Sequence, residues 1–103
     1  MTLLTQRVTM IISFKSKETA KVFSGVYTLK LPINIQRIAL RKLYMLDAVV
    51  NINELMIPPA NRLEKLRGKN KHSYSIRINN QWRLCFVWKD GNAHEVIITD
   101  YHS

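Results

Sequence analysis

The chain has 103 residues, of which 47% are hydrophobic, and 16 lysines and arginines face seven aspartates and glutamates, a formal net charge of +9. This length provides one compact domain, so a second domain or a deep enclosed pocket is not expected. The positive charge favours a polyanionic partner, with nucleic acid first and an anionic membrane surface or an acidic protein as alternatives, and no stretch has the roughly 18 apolar residues of a membrane span.

The single cysteine indicates the redox compartment, and the first nine residues indicate where the domain begins. The single cysteine, Cys85, excludes an internal disulfide and fits a reducing cytoplasm. Because Cys85 lies in an apolar run, we expect a buried structural thiol. Residues 1–9 are too short and too polar for a secretory signal. We predict that they form a flexible leader to a single domain over residues 10–103.

The N-terminal half carries helical signals after a short predicted strand at residues 10–14. Ser16 is a suitable helix cap. The helix that it begins is expected to turn Ala20 and Phe23 inward and to end near Gly25, since glycine tolerates the left-handed backbone that closes many helices. The C-terminal half has the alternation of β-strands, so the chain is predicted to be an α+β protein.

A second helix is the clearest predicted element. It begins after Pro32, with Asn34 as the expected cap. Its apolar stripe recurs at three- and four-residue steps. The stripe consists of Ile35, Ile38, Ala39, Leu43, Leu46 and Val50. Four polar residues lie mainly off this stripe, namely Gln36, Arg37, Arg41 and Lys42. A short turn over residues 53–56 follows, and Pro58-Pro59 ends it.

Three strands are predicted where apolar, aromatic and β-branched residues alternate with polar ones. They cover residues 73–78, 82–88 and 94–99. Asn79-Asn80 marks the first turn and Asp90-Gly91-Asn92 the second. The strands therefore form consecutive hairpins, which favours a mostly antiparallel sheet.

The register of the first hairpin decides which residues share a face, because a one-residue slip exchanges the faces. A two-residue loop would pair Ile76 with Arg83 and put an arginine on the apolar side. A three-residue loop, residues 79–81, pairs Ile76 with Leu84 and Arg77 with Arg83. We favour the three-residue loop, since it places both arginines on the face opposite the helices, as a positive surface suited to an RNA backbone.

Three segments of the chain form a recognisable combination. They are Arg62-Leu63-Glu64-Lys65-Leu66-Arg67-Gly68, Tyr74-Ser75-Ile76-Arg77-Ile78-Asn79-Asn80-Gln81-Trp82-Arg83 and Asp100-Tyr101-His102. The predicted domain also opens with Met10-Ile11-Ile12-Ser13-Phe14-Lys15. In this combination the sequence resembles the HigB family of plasmid-maintenance killer toxins, within the RelE/ParE toxin superfamily. The likeness covers nearly everything after residue 9.

The resemblance implies a RelE-like microdomain, in which N-terminal helices pack on one face of a mostly antiparallel, twisted sheet. It implies the toxin of a type II toxin–antitoxin system, a ribosome-dependent mRNA endonuclease that inhibits translation without a cofactor. The implied partners are the ribosome with its message and a HigA-like helix-turn-helix antitoxin. Operator DNA would be contacted only through the antitoxin complex.

The resemblance also implies site residues. Arg67 falls where the family has a catalytic-site lysine or arginine, and Arg83 falls on the family's strand arginine. Asp100, Tyr101 and His102 fall on its C-terminal triplet. These five residues are therefore expected to carry the reaction.

Glu64 departs from the family members that carry a catalytic histidine at its position. We interpret Glu64 either as a general base toward the 2′-hydroxyl or as an ion-pair partner of Arg83 or Arg67. Lys69 replaces the aspartate that usually follows the family's glycine and adds positive charge. Basic residues expected to contact RNA are Arg62, Lys65, Lys69, Lys71 and Arg77.

RNA carries its own nucleophile, the 2′-hydroxyl, so no metal is needed, and three scattered histidines and one cysteine lack the spacing of metal ligands. Arg83 and Arg67 would balance charge on the phosphoryl oxygens. His102 would protonate the leaving 5′-oxygen, and Asp100 would orient His102 or hold Arg83. Tyr101 would stack on a base, share proton transfer or pack at the sheet edge. Because Arg83 is predicted to point outward, its replacement is expected to leave the fold intact.

Two other functions are compatible with the same residues. A ParE-like toxin, which poisons DNA gyrase, would share the fold, although the sequence Asp100-Tyr101-His102 argues against it. A non-catalytic basic module that binds RNA or the ribosome would keep salt-sensitive affinity and show no cleavage. Mapping of mRNA ends separates both from an endonuclease.

Overall fold

The computed structural model describes residues 10–68 and 72–100, and within them two helices lie on one face of a four-stranded antiparallel sheet. The helices are α1 (Lys17–Phe23) and α2 (Ile33–Ala48), followed by 3₁₀ turns at Ile52–Met56 and Pro59–Asn61. The strands are β1 (Glu64–Lys65), β2 (Ser73–Arg77), β3 (Trp82–Lys89) and β4 (Asn92–Asp100), in the order β1-β2-β3-β4. The α+β class and the RelE-like arrangement are confirmed; the predicted leader lies outside the described residues.

Helix α1 begins and ends as predicted. The Ser16 hydroxyl accepts a hydrogen bond from the Thr19 amide at 3.1 Å, and Gly25 after the helix has a left-handed φ of 82°. The buried residues of the helix, however, are Thr19 and Val22, whereas Ala20, which was predicted to face inward, is only half-buried. Thr19 tolerates burial because its hydroxyl accepts a hydrogen bond from the Ile98 amide of β4 at 3.0 Å.

The predicted strand at residues 10–14 forms only two isolated parallel bridges to β4, from Ile11 to Ala93 and from Phe14 to Val96. The carboxylate of Asp47 on α2 also accepts hydrogen bonds from the amides of Met10 and Ile11, each at 3.0 Å. These amides are consequently used for attachment to the helix. The segment joins the edge of the sheet without becoming a regular strand.

Helix α2 begins directly after Pro32, as predicted, but Asn34 does not cap it. The cap position is Pro32 itself, and no side chain caps the helix. Ile35, Ala39, Leu43 and Leu46 are buried as the stripe requires. Val50 was wrongly placed on the stripe: the helix ends at Ala48, and Val50 is 68% exposed.

Gln36 was predicted to lie off the buried stripe, and the structure corrects this, because Gln36 is only 2% exposed. Its Oε1 accepts a hydrogen bond from the Thr28 amide at 3.1 Å. Its Nε2 donates to the carbonyls of Thr28 at 2.8 Å and Leu31 at 2.9 Å. The amide thus satisfies three backbone groups of the loop between the two helices, which is how a polar residue comes to be buried.

Replacing Gln36 with alanine is expected to lower the free energy of unfolding by about 2 to 4 kcal/mol, because buried backbone groups lose their partners. Urea denaturation followed by tryptophan fluorescence measures this difference. Arg41→Ala, an exposed change on the same helix, is the control and should shift stability by less than about 0.5 kcal/mol. Equal denaturation midpoints for the two variants would contradict this account.

The sheet has the register predicted from the three-residue loop. Ile76 lies opposite Leu84 and Arg77 opposite Arg83. One face of the sheet therefore meets the helices in a core made of Ile11, Val22, Ile35, Ala39, Leu43, Leu46, Val49, Leu55, Ile76, Ile78, Leu84, Phe86, Ala93, Val96 and Ile98. Strand β1 was not predicted, since two residues are too few to show alternation. No helix within residues 10–68 and 72–100 is long and apolar enough to cross a bilayer.

Candidate active site

Arg83 is the most constrained polar side chain on the open face of the sheet, the face opposite the helices. Its Nε donates to the Ser75 hydroxyl at 2.7 Å, and its Nη2 donates to the carbonyls of Ser75, at 3.3 Å, and of Arg62. Arg83 is only 6% exposed and Ser75 is fully buried. Arg83 thus lies on the predicted face of the sheet but is covered there, whereas an outward-pointing, solvated side chain was expected. Its replacement is therefore expected to cost stability.

The backbone around Arg62 explains how Arg83 becomes covered. The 3₁₀ turn at Pro59–Asn61 ends at Arg62, whose φ of 45° and ψ of 59° are left-handed. Such a conformation costs a non-glycine residue about 1 kcal/mol or more. It directs the Arg62 carbonyl at the guanidinium of Arg83 and leads the chain into β1, which pairs along β2. The segment 62–65 thus lies against the strand that holds Ser75.

Glu64 lies at the side of this arginine. Its Oε1 is 3.9 Å from Nη2 of Arg83, and its side chain is 49% exposed. This distance is an ion pair without a hydrogen bond. In the register of β1 with β2, Glu64 lies opposite Ser75. The carboxylate therefore faces both the guanidinium and solvent, where a substrate could reach it.

A cleft of about 340 Å³, which we call the arginine cleft, opens at this point. Its lining consists of Arg62, Glu64, Arg77, Asn79, Asn80 and Arg83. Four residues of the sequence-derived set are thus brought together. The Arg77 guanidinium donates to the side-chain oxygen of Asn80. Ser75, Asn79 and Asn80 were missed as site residues, because small polar residues in a strand or a turn carry no distinctive pattern.

Arg67 lies in a second cleft, of about 440 Å³, on the same face of the sheet. The lining consists of Lys15, Leu66, Arg67, Ser73, Cys85, Phe86, Val87, Glu95 and Ile97. The two clefts share strands β2 and β3, since Cys85 follows Arg83 by two residues and alternation places both on one face. Lys65 is exposed on β1 but lines neither cleft.

Cys85 is half-buried and lines this cleft, so it is less buried than expected. Burial raises the pKa of the Cys85 thiol, against the opposing effects of a hydrogen bond with Thr99 and the charges of Arg83 and Lys15. The thiol is therefore protonated at neutral pH. A nucleophilic role is not indicated, because the thiolate is the reactive form.

The end of β4 approaches the arginine cleft. Asp100 lies opposite Trp82, and Thr99 lies opposite Arg83. The carboxylate of Asp100 accepts a hydrogen bond from Nε2 of Gln81 at 3.0 Å. The other proposed members of the site, namely Lys69, Lys71, Tyr101 and His102, lie outside the described residues.

The arrangement is suited to binding and polarising a phosphodiester. Guanidinium groups present planar donors that match phosphate oxygens, and a fixed guanidinium need not reorganise when charge develops. A carboxylate next to it is able to accept a proton. No cluster of three or more histidines, cysteines, aspartates or glutamates that could hold a metal lies within residues 10–68 and 72–100.

Comparison with known proteins gives consistent matches. The family model described as RelE-like toxin of type II toxin-antitoxin system HigB matches residues 12–102. The chain is similar to Toxin HigB-1 of Vibrio cholerae, with 41% identity over 85 residues, 82% of this chain and 90% of the relative. It is similar to Endoribonuclease HigB of Proteus vulgaris, with 32% identity over 94 residues, 90% of this chain and 100% of the relative. An uncharacterized protein of Haemophilus influenzae is 42% identical over 74 residues, 72% of each chain.

Proposed function

Because this chain belongs to the HigB-like, RelE-like toxins of type II toxin–antitoxin systems, we propose that it is an endoribonuclease that cuts messenger RNA on the ribosome and so arrests translation. The observation that carries the proposal is the cleft in which Arg83 is fixed beside Glu64 and Arg77. The name of the Proteus vulgaris relative, an endoribonuclease, supports the type of reaction. A cytoplasmic location follows from the proposed target.

The reaction is an attack of the 2′-hydroxyl on the adjacent phosphate, with release of the 5′-oxygen. Arg83 lines the cleft, and its positive charge, fixed in place by Ser75 and the Arg62 carbonyl, stabilises the charge that develops on the phosphoryl oxygens. Arg67 adds a second guanidinium from the neighbouring cleft. Glu64 is the described carboxylate nearest Arg83, and it either accepts the proton of the 2′-hydroxyl or keeps Arg83 aligned.

The C-terminal triplet completes the proposed mechanism by family resemblance. His102 donates the proton to the leaving oxygen. Asp100 orients His102 or supports Arg83, and Tyr101 stacks on a base or shares the proton transfer. Asp100 pairs with Trp82, one pair along from Arg83, so alternation puts its side chain on the other face of the sheet from Arg83. The assignment of Asp100 therefore rests on the family resemblance.

The net charge of +9 supports binding to the RNA backbone. We assign contacts with the RNA backbone to Arg62, Lys65, Lys69, Lys71 and Arg77. Arg62 and Arg77 line the arginine cleft itself. A type II toxin implies a cognate antitoxin, and we propose one of the helix-turn-helix, HigA-like type. Operator DNA is then bound by the antitoxin in the complex.

Primer extension on a defined message tests the proposal, with programmed ribosomes in one arm and naked RNA in the other. We expect new mRNA 5′-ends within the ribosomal decoding site and little cutting of naked RNA. A shallow site with few acid–base groups depends on the ribosome to align the strand. Equally efficient cutting of naked RNA would contradict ribosome dependence. Growth arrest with a DNA-damage response and no new mRNA ends would instead indicate a gyrase poison.

A further inference from the structure

The loop between the two helices exposes an unusual set of apolar side chains. The exposed fractions are 52% for Val26, 68% for Tyr27 and 96% for Leu29, and Ile33 at the start of α2 is 64% exposed. We call these four residues the 26–33 patch. Large exposed apolar patches on soluble proteins commonly mark sites of interaction. The mechanism proposed above makes no use of this patch.

The loop that carries the 26–33 patch is held in place. Thr28, in its centre, is only 6% exposed, and Gln36 bonds both its amide and its carbonyl. The Thr28 hydroxyl donates to the carboxylate of Glu18 on α1 and accepts from the Lys30 amide. A partner would therefore meet a preorganised surface, which reduces the entropy lost on association.

A small cleft lies within this surface. Its volume is about 150 Å³, and it is lined by Val22, Gly25, Val26, Tyr27, Gln36, Arg37 and Leu40. A cavity of about 150 Å³ is known to accommodate a benzene ring, so this cleft has the size to take one large apolar side chain. Arg37 is exposed on α2 and contributes a cation to the lining. The cleft therefore fits an apolar anchor with a carboxylate next to it.

The chemistry of the patch indicates a protein and argues against RNA. Aliphatic side chains such as Val26, Leu29 and Ile33 offer no donor to a phosphate, whereas protein interfaces bury such residues around a central anchor. The patch lies on the helical layer, and the arginine cleft lies on the opposite face of the sheet. The two surfaces are therefore separate, and each is accessible to a different partner. A chain with a charge of +9 selects an acidic partner by electrostatic complementarity.

We propose that the 26–33 patch is the docking surface for the cognate antitoxin, through an apolar side chain seated in the cleft and a carboxylate beside Arg37. This inference rests on the proposed function, in which the chain is a toxin neutralised by its antitoxin. It adds the place of contact and the chemistry that the antitoxin presents there.

Leu29→Asp tests the apolar contact, with Val50→Asp as the matched control, because Val50 is also an exposed apolar residue but follows α2 at its other end. Isothermal titration calorimetry measures the Kd of each full-length variant for the purified antitoxin of the same operon. We expect Leu29→Asp to weaken binding at least about tenfold, as for an anchor residue, and Val50→Asp by less than about twofold. Leu29 is almost fully exposed, so its replacement removes no core contact.

Arg37→Glu tests the charge and is expected to weaken binding at least about tenfold, whereas Arg37→Lys should stay within about threefold of the unmodified protein. Unchanged affinity of both Leu29→Asp and Arg37→Glu would overturn the proposal. Loss of ribosome affinity in Leu29→Asp, with antitoxin affinity intact, would also overturn it by assigning the patch to the ribosome. Cleavage of mRNA by the same variants, free of antitoxin, is measured in parallel. If the unmodified protein binds the antitoxin through the patch but cuts no mRNA, the proposed function is contradicted and the docking proposal is not.

Discussion

Replacement of Arg83 with alanine is expected to slow mRNA cleavage by about 10²- to 10³-fold, the usual cost of removing one preorganised donor from a transition state. The same change is expected to lower the free energy of unfolding by about 1 to 3 kcal/mol. The second effect follows from burial: Arg83 donates to Ser75 and to the carbonyl of Arg62, and the fully buried Ser75 loses its donor. Single-turnover cleavage on saturating ribosomes and urea denaturation measure the two effects.

Two companion variants separate catalysis from folding. Ser75→Ala removes the acceptor of Nε and keeps the guanidinium. It should therefore lower the free energy of unfolding about as much as Arg83→Ala does, but slow cleavage less than Arg83→Ala does. Arg83→Lys keeps the charge and loses the planar fork, and its rate should remain well below that of the unmodified protein. A folded Arg83→Lys protein with full activity would show that charge alone suffices, which contradicts the role given to the guanidinium geometry.

His102→Gln is expected to slow cleavage by at least about 10²-fold while leaving ribosome affinity and the free energy of unfolding nearly unchanged. The reaction needs a donor for the leaving oxygen, and guanidinium groups have a pKa too high to release a proton at neutral pH. His102 is assigned this role by the resemblance of Asp100-Tyr101-His102 to the family's C-terminal triplet.

The matched variant for this experiment is Glu64→Gln, which keeps the size of the side chain and removes its charge. If Glu64 only aligns Arg83, its loss should slow the rate less than the loss of His102. Rates are compared on purified ribosomes that carry a defined message, with binding measured on the same preparations. If His102→Gln cleaves at a near-normal rate and Glu64→Gln loses most of its activity, the acid–base role belongs to Glu64 and not to His102.

The elements that the sequence predicted well depend on local periodicity. The stripe of α2 from Ile35 to Leu46 follows from helical spacing, and the pairing of Ile76 with Leu84 follows from keeping apolar residues on one face. Both rules act over a few residues and need no knowledge of distant contacts. The fold class follows from them, because helices with one apolar face and hairpins with one apolar face have to meet in a common core.

The features that could not be predicted depend on contacts between distant segments. Gln36 is buried because a loop eight residues earlier presents backbone groups to it, and no pattern within α2 signals such a loop. Arg83 is covered because the left-handed turn at Arg62 directs a carbonyl to it across 21 residues of chain. Alternation correctly predicted the face on which Arg83 lies, but it carried no information about what covers that face.

The attachment of residues 10–15 to β4 has a consequence for self-association. Exposed strand edges recruit further strands and lead to aggregation. Here the bridges from Ile11 and Phe14 occupy the outer edge of β4, and at the opposite edge of the described sheet β1 offers only two residues, Glu64 and Lys65, of opposite charge. The backbone of residues 93–96 of β4 is therefore already engaged, and β1 offers another copy only a short, charged edge. Both features disfavour edge-to-edge pairing at these places.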